Sequence, residues 1–250
     1  MTMQPRQGRR ALLIGATSDI SRRLAHLLAA DGIGLILAAR DCARLAPDKA
    51  DLELRYRVGV ELLEIDLLDP AGTSAALLAL DPVPEIAVSL VGEMGNQASQ
   101  QDDPALAARA IAANFTGPAL ALETLAGRAL DANVPAVLVG VSSVAGDRGR
   151  ARNYYYGAAK AGFTAFLSGL RQRLAATPIT VITVKPGFVA TRMTQGMDLP
   201  APLLDSAETC ARLIKRAIDH KRLIAYPWKW RLLMLAVRAM PEGVFRKLKF

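Results

Sequence analysis

A single α/β domain, built as a doubly wound parallel sheet with helices on both faces, is predicted by three observations. Apolar runs of strand length alternate with longer stretches of helical period as far as about residue 226, the pattern of repeated βαβ units. The 250 residues are 52% hydrophobic and 22% charged, which supplies a substantial core and excludes a disordered or fibrous chain. No repeat, low-complexity tract or long linker divides the sequence. Residues 1–226 are therefore read as one domain and 227–250 as a basic, apolar extension of it.

In order along the chain, the polar, basic start Met1–Arg10 gives way to the apolar run Ala11–Gly15, the first strand. That run is too short for an export signal and ends in glycine. Ser18–Ala30 is the first helix, and Gly34–Ala39 (GLILAA) the second strand. A helix over Ala43–Tyr56 is interrupted at Pro47, because proline lacks the N–H that a helix interior needs. Leu62–Asp66 is the third strand, Gly72–Leu80 a helix and Ile86–Val91 the fourth strand. The long apolar stretch Pro104–Ala132 is a helix, followed by the strand Ala136–Val141, the helix Tyr155–Ala175 and the strand Ile179–Lys185. Ser206–Asp219 is the last helix of the domain and Leu223–Tyr226 a short closing strand. In such a sheet ligands bind outside the carboxyl ends of the strands, where strand order reverses.

Cys42 and Cys210 are the only cysteines, far apart and without histidines at ligand spacing. Neither a disulfide framework nor a metal site is expected, and a reducing, cytoplasmic compartment follows. The net charge of +8 is concentrated at one end: Lys221–Phe250 holds eight Lys or Arg against Glu242 alone, leaving +1 for the first 220 residues. A nucleic-acid footprint would spread over a groove or face of the fold, so no nucleic-acid partner is expected. Leu232–Val237 is apolar but bracketed by Arg231 and Arg238, and is too short to span a bilayer, which takes about 20 residues.

The first strand runs into Gly15-Ala16-Thr17-Ser18-Asp19-Ile20-Ser21 and then a helix, the place where a dinucleotide-binding chain bends around a pyrophosphate. Gly15 makes the turn, and Thr17, Ser18, Asp19 and Ile20 would face the phosphates. Asp19 and Ser21 stand where glycine would let backbone and phosphate approach, and Asp19 adds a negative charge that suits the helix dipole but not the ligand. Taken alone, the turn fits a cofactor loop and an ordinary strand-to-helix turn alike. At the end of the second strand, Ala39-Arg40 offers a guanidinium to a 2′-phosphate and no carboxylate to ribose hydroxyls, which favours NADP over NAD; the bland alternative is an exposed arginine beside Asp41. Asp66 could accept a hydrogen bond from an adenine amino group or begin a turn before Asp69-Pro70.

Of three consecutive tyrosines only Tyr156 has a lysine four residues on, which puts Tyr156 and Lys160 on one helix face. A nearby ammonium favours phenolate and draws a tyrosine pKa down from about 10 toward neutrality, as a proton-transferring phenol needs. Ser143 lies just past the strand Ala136–Val141, at the crevice, where a hydroxyl could orient a carbonyl. Asn114 sits upstream in a helix, where a buried amide can hold water or a backbone carbonyl. Standing alone, these are equally a turn serine and a helix-kinking asparagine.

Taken together, Gly15 with its turn, Asn114, Val141-Ser142-Ser143-Val144-Ala145-Gly146, Tyr156 to Lys160 and Pro186-Gly187-Phe188-Val189-Ala190-Thr191 resemble the short-chain dehydrogenase/reductase family, in order, from about residue 10 to 195. The resemblance implies a Rossmann-type fold and carbonyl reduction with NADPH in preference to NADH. Tyr156 would exchange the proton, Lys160 would lower its pKa and bind the nicotinamide ribose, and Ser143 would polarise the carbonyl. Asn114 would anchor a water relay to Lys160, and Thr191 with the backbone of Val189 would hold the carboxamide, with Gly92, Pro186 and Gly187 completing the cofactor-binding set. Two departures stand out: the turn keeps only its first glycine, and Ser89-Leu90-Val91-Gly92 replaces the family's Asn-Asn-Ala-Gly. A homo-dimer or homo-tetramer is implied through the long helices after the fourth and fifth strands.

The departures are themselves similar to the branch of keto-reductases that serve decaprenylphosphoryl-ribose 2-epimerisation: Thr17 to Ile20, Gly92 to Gln97, Arg148 to Asn153, Thr191 to Met193 and Phe245 to Leu248. That branch reduces a 2-keto sugar on a polyprenyl phosphate. A lipid-linked carbonyl substrate would suit the extension, where Trp228 and Trp230 flank an apolar face with Arg231 and Arg238 on one side, fit for contact with the inner membrane surface. The bland alternative is that this segment packs on the core or on a sister subunit. Competing functional readings are a 3-oxoacyl-carrier-protein reductase, docked through the positive tail, and a non-catalytic nucleotide-binding protein.

Overall fold

A computed structural model describes residues 8–248; the basic residues at positions 6, 249 and the terminal Phe250 lie outside the described residues. Its centre is a seven-stranded parallel sheet formed by β1 (Arg10–Ile14), β2 (Gly34–Ala39), β3 (Val60–Glu64), β4 (Ile86–Ser89), β5 (Ala136–Val141), β6 (Ile179–Val184) and, late in the chain, Ile224–Ala225. Across the sheet the order is β3, β2, β1, β4, β5, β6 and then Ile224–Ala225. β1 pairs with β2 on one side and β4 on the other, so the order reverses at β1 and the crevice opens there.

Alternate residues of the central strands enter two cores. Leu13, Leu35 and Leu37 pack on one face with Leu24, Leu28 and Ile214. Leu12, Ile14 and Ile36 pack on the other with Leu122, Leu125 and Phe163. Burial on both faces is why these strands read as continuous apolar runs rather than as an alternation. The covering helices start at side-chain caps: Ser18 accepts from the Ser21 amide ahead of α1 (Asp19–Ala30), and Asp69 caps the helix Pro70–Leu78 from Gly72 N–H at 3.1 Å, each satisfying a donor that a helix terminus leaves open.

Several boundaries differ from expectation. Pro47 does not interrupt its helix: a 3₁₀ turn, Cys42–Leu45, precedes α2 (Ala46–Tyr56), and Pro47 falls in the first turn, where its missing N–H has no intrahelical partner anyway. The third strand lies two residues earlier than Leu62–Asp66, because Asp66 belongs to the following turn, its Oδ1 accepting from Leu68 N–H at 3.0 Å. The next helix, α3 (Pro70–Leu78), likewise starts before Gly72. A short helix, α4 (Gln97–Asp102), was not anticipated.

The long helix expected over Pro104–Ala132 is α5 (Pro104–Ile111) and α6 (Gly117–Asp131) joined by a π turn at Ala112–Thr116. It is long and apolar enough to cross a membrane by length and composition, but half of that stretch is buried inside the fold. Beyond α7 (Tyr154–Arg173), a two-stranded parallel sheet, β7 (Phe188–Ala190) and β8 (Leu204–Ser206), frames the crevice. It carries residues expected only as loop. α8 (Ala207–Asp219) and the closing strand β9 (Ile224–Ala225) follow.

The extension forms α9 (Trp228–Ala239) and α10 (Glu242–Phe245). One face of α9 docks: Trp230 and Met234 are buried with Val144, and Trp230 meets Phe188 edge-on at 4.9 Å between ring centroids. Arg148 secures it, donating to Val237 O at 2.7 Å and pairing with Glu242 at 2.7 Å. The two tryptophans therefore do not share an apolar face as expected. Trp228 is 69% exposed, on the outer side with Leu232 and Leu235, while Trp230 is 2% exposed, because residues two apart on a helix point to opposite sides.

Candidate active site

A cavity of about 700 Å³ lies at the carboxyl ends of the strands, between the ends of β1, β2, β4 and β5, the N-terminal parts of α1 and α7, and the segment after β7. Its size falls in the range of small-molecule and cofactor sites. All the residues expected to bind cofactor line it, including Gly15, Arg40, Asp66, Gly92, Pro186 and Thr191. Of the catalytic set, Ser143, Tyr156 and Lys160 line it directly, whereas Asn114 stands behind the wall with 0% exposure.

Gly15 is required twice over. Its φ is +85°, and a Cβ there would come within 3.0 Å of Val91 and 3.2 Å of the Leu90 backbone, so only glycine lets β1 turn this close to the end of β4. Ser18 then caps α1, and the amides of the first turn, Asp19 and Ile20, are left without intrahelical acceptors. Such amides, with the helix dipole behind them, form an anion-binding end. Asp19 is not left facing it: its carboxylate accepts from Arg192 N–H at 2.9 Å and from Arg192 Nε at 3.1 Å. At the far end, Arg40 is joined by Arg44 from the 3₁₀ turn. Asp66, which lines the same end, spends Oδ1 on its own turn.

The other end holds the titratable groups. Tyr156 and Lys160 occupy successive turns of α7, are 8% and 2% exposed, and lie beside Ser143 at the end of β5. Lys160 Nζ donates to Val91 O at 3.0 Å and Val141 O at 3.2 Å, and stands 5.8 Å from the Tyr156 ring centroid. Burial dominates both groups, because removal from water disfavours the charged form of each. It brings the Lys160 ammonium down to about 7. It pushes the Tyr156 phenol up, the hydrogen bond with Ser143 opposing it. The expectation that Lys160 draws Tyr156 toward neutrality is thus corrected: burial raises the phenol, and what opposes it is the Ser143 hydrogen bond.

Asn114 lies in the π turn, its Oδ1 accepting from Glu93 N–H at 3.0 Å while Nδ2 donates to Glu93 O at 2.7 Å and Ala110 O at 2.8 Å. Both amide hydrogens go to backbone, so the side chain clamps the segment after β4. Gly92 in that segment lies beside three groups: a Cβ there would make ordinary contacts, 3.5 Å from the Met193 methyl, 3.6 Å from Asn114 Oδ1 and 3.7 Å from Lys160 Nζ. Val189 O accepts from the Thr194 hydroxyl at 2.6 Å, and Thr191 and Thr194 cap each other's backbone across the following turn. Gly187 lines the cavity, but its missing side chain answers to the extension: a Cβ would fall 1.8 Å from the Trp230 indole nitrogen.

Sequence reasoning missed Arg44, Arg150 and Arg192 as lining residues. Arg150 is half-buried, burial pushing its guanidinium down, and its Nη2 donates to the Met234 sulfur at 3.4 Å. An arginine pair at the end of β2 was visible in principle as Arg40 and Arg44, four apart. The Asp19–Arg192 pair spans 173 residues and had one signal, an acid in a glycine's place that asks for a counter-charge. Among the described residues no group of His, Cys, Asp or Glu is arranged to hold a metal ion.

The cavity joins an anion-binding helix end and two arginines to a buried phenol and amine, a donor set that fits a nicotinamide dinucleotide. Comparison with known proteins agrees in kind. The sequence profile described as short chain dehydrogenase matches residues 9–200. An uncharacterised oxidoreductase of Mycobacterium tuberculosis is 36% identical over 95% of this chain and 96% of its own. Sulfoacetaldehyde reductase of Chromohalobacter salexigens is 32% identical over 73% of each chain. Among solved structures, a short-chain dehydrogenase from Sphingobium yanoikuyae in complex with NADPH superposes with a TM-score of 0.79 at 25% identity, covering 96% of both chains.

Proposed function

Since the chain belongs to the short-chain dehydrogenase family, we propose that it is an NADPH-dependent reductase of a carbonyl group. What carries the reading is the placement of a buried amine one helical turn after a buried phenol, with a serine hydroxyl beside them, at the inner end of a cavity whose outer end presents two arginines. NADPH, when bound, supplies the hydride that reduces the carbonyl carbon. The Ser143 hydroxyl orients and polarises the carbonyl oxygen. Tyr156 gives that oxygen its proton, and the high phenol pKa keeps the proton available at neutral pH. Lys160, held by two strand-end carbonyls, places a donor for ribose hydroxyls and a positive charge that steadies the phenolate left behind. Asn114 holds the wall segment Gly92 to Glu93 against which these groups are aligned.

Preference for NADPH over NADH rests on Arg40 and Arg44, which suit a 2′-phosphate, and on the NADPH named for the similar Sphingobium structure. For the substrate, the reading retains a small or lipid-linked ketone, with the keto sugar of a polyprenyl phosphate as its most specific form. The exposed Trp228, Leu232 and Leu235 beside Arg231 and Arg238 support contact with an anionic membrane surface on the cytoplasmic side. Assembly into a homo-dimer or tetramer is supported by Leu120 and Leu130, 44% and 40% exposed on α6.

The test is oxidation of NADPH with a panel of ketones, followed by absorbance. Tyr156→Phe is expected to lower kcat at least 100-fold, within the range for a lost general acid, while leaving NADPH affinity within a few-fold. Near-parental turnover would overturn the proton assignment. In the same titrations Arg40→Ala is expected to weaken NADPH and not NADH, and equal effects on the two would remove the 2′-phosphate assignment.

A further inference from the structure

Asp19 opens α1 at the point where the fold presents amide hydrogens and a positive dipole end, and a bare carboxylate there would repel a diphosphate. The structure supplies the opposing charge. Arg192, in the turn after β7, bonds Asp19 through its backbone N–H at 2.9 Å and through Nε at 3.1 Å, and its Nη2 donates to Thr17 O. Asp19, Thr17 and Arg192 all line the cavity.

The pair is a poor stability device: the Arg192 and Asp19 side chains are 52% and 30% exposed, and ion pairs so open to water contribute about 0–1 kcal/mol. It is a good positioning device. Two of the five guanidinium N–H groups are spent on Asp19 and Thr17, and the other three have no bond among the described residues. They belong to a planar cation of the kind that pairs with phosphate oxygens. Because Asp19 also grips the Arg192 backbone, the whole turn Arg192–Thr194, with the Met193 methyl reaching the neighbourhood of Gly92 and Lys160, is fixed across the helix end.

We propose that Arg192 binds the diphosphate of the dinucleotide and that Asp19 is the positioning residue that holds it there. The acid in the glycine's place then works by placing a cation, not by touching the ligand. This rests on the cofactor reading above, and the closing experiment separates the two. NADPH and adenosine 2′-monophosphate, which keeps the adenosine and its 2′-phosphate but has no phosphate on the 5′-oxygen, are titrated by calorimetry into the parent, Arg192→Ala, Asp19→Ala and the double variant.

Arg192→Ala is expected to weaken NADPH tenfold or more while leaving the 2′-monophosphate within twofold. Asp19→Ala is expected to weaken NADPH severalfold in the parent and to strengthen it in the Arg192→Ala background, a reversal of sign that loss of structure would not produce. Equal effects on both ligands, no effect on either, or tighter NADPH binding by Asp19→Ala alone overturns the proposal and leaves the cofactor reading standing. If the parent binds neither NADPH nor NADH, the cofactor reading falls and this proposal with it.

Discussion

In the proposed mechanism Lys160 is worth most to the chemistry in the state that costs the fold most. Its amine titrates near 7 in the folded protein against 10.5 for the exposed group. Between those values the unfolded chain holds a proton that the folded chain does not, so this group makes stability rise with pH across that window. Below about pH 7 both states are charged, and the full penalty of the buried ammonium, on the order of a few kcal/mol, is present. Lys160→Met is therefore expected to unfold later than the parent at pH 6, by about 2 kcal/mol once the two lost carbonyl hydrogen bonds are counted. Thermal melts at pH 6, 8 and 10 check it, and the gap should close toward pH 10. A parent that stays less stable by the same margin at all three values would mean that the charge is not the cause. Under the proposed mechanism the same amine should set the activity profile: reductive kcat/KM is expected to fall as pH rises through about 7, as Lys160 loses its charge while Tyr156, whose pKa is raised, keeps its proton. The placement of Tyr156, Lys160 and Ser143 was legible in the sequence because it depends on neighbours four residues apart and on one strand end. The direction of the Tyr156 shift was not, since it depends on how completely the tertiary structure excludes water.

Among the elements, the extension and the loop between β5 and α7 form one packed unit. Trp230 lies under Gly187, donates its indole N–H to Leu203 O at 3.2 Å and packs with Val144, the residue after Ser143. Trp230→Ala is expected to cost about 3–5 kcal/mol, the range for deleting a buried aromatic side chain, and to raise KM for substrate more than for NADPH, since the serine-bearing loop loses its backing. Denaturant melts and steady-state kinetics measure the two effects; an unchanged melting midpoint would mean that α9 is not part of the folded unit. The alternation of apolar runs and helical stretches revealed every strand of the main sheet, because parallel strands buried on both faces have little else they can be. It misplaced β3, since Asp66 is bounded by turn hydrogen bonds rather than by hydropathy. It gave no sign of β7 and β8, three-residue strands too short to stand out as apolar runs of strand length. The π turn at Asn114 was equally hidden, being one extra residue in an otherwise helical pattern.

For the whole molecule, the uneven charge now has a place. The basic end of the chain packs behind the cavity-wall residues Val144, Gly187 and Phe188 and turns Trp228, Leu232 and Leu235 outward in a stripe with Arg231 and Arg238. Sedimentation with vesicles of mixed neutral and anionic phospholipid is expected to carry the parent down at low salt and to release it at high salt. A variant with Trp228, Leu232 and Leu235 all changed to serine should stay in solution under both conditions. Shortening the chain at Tyr226 would be a poorer test, because it removes the buried Trp230 and Met234 as well. Equal sedimentation of parent and variant would reassign the stripe to a protein partner. The contact between Trp230 and Gly187 reaches further than stability. A chimera that grafts the last 25 or so residues onto a relative bearing any larger side chain at Gly187 would set an indole against a methyl group, so tail and loop are expected to travel as one module whenever such sequences diverge or are recombined.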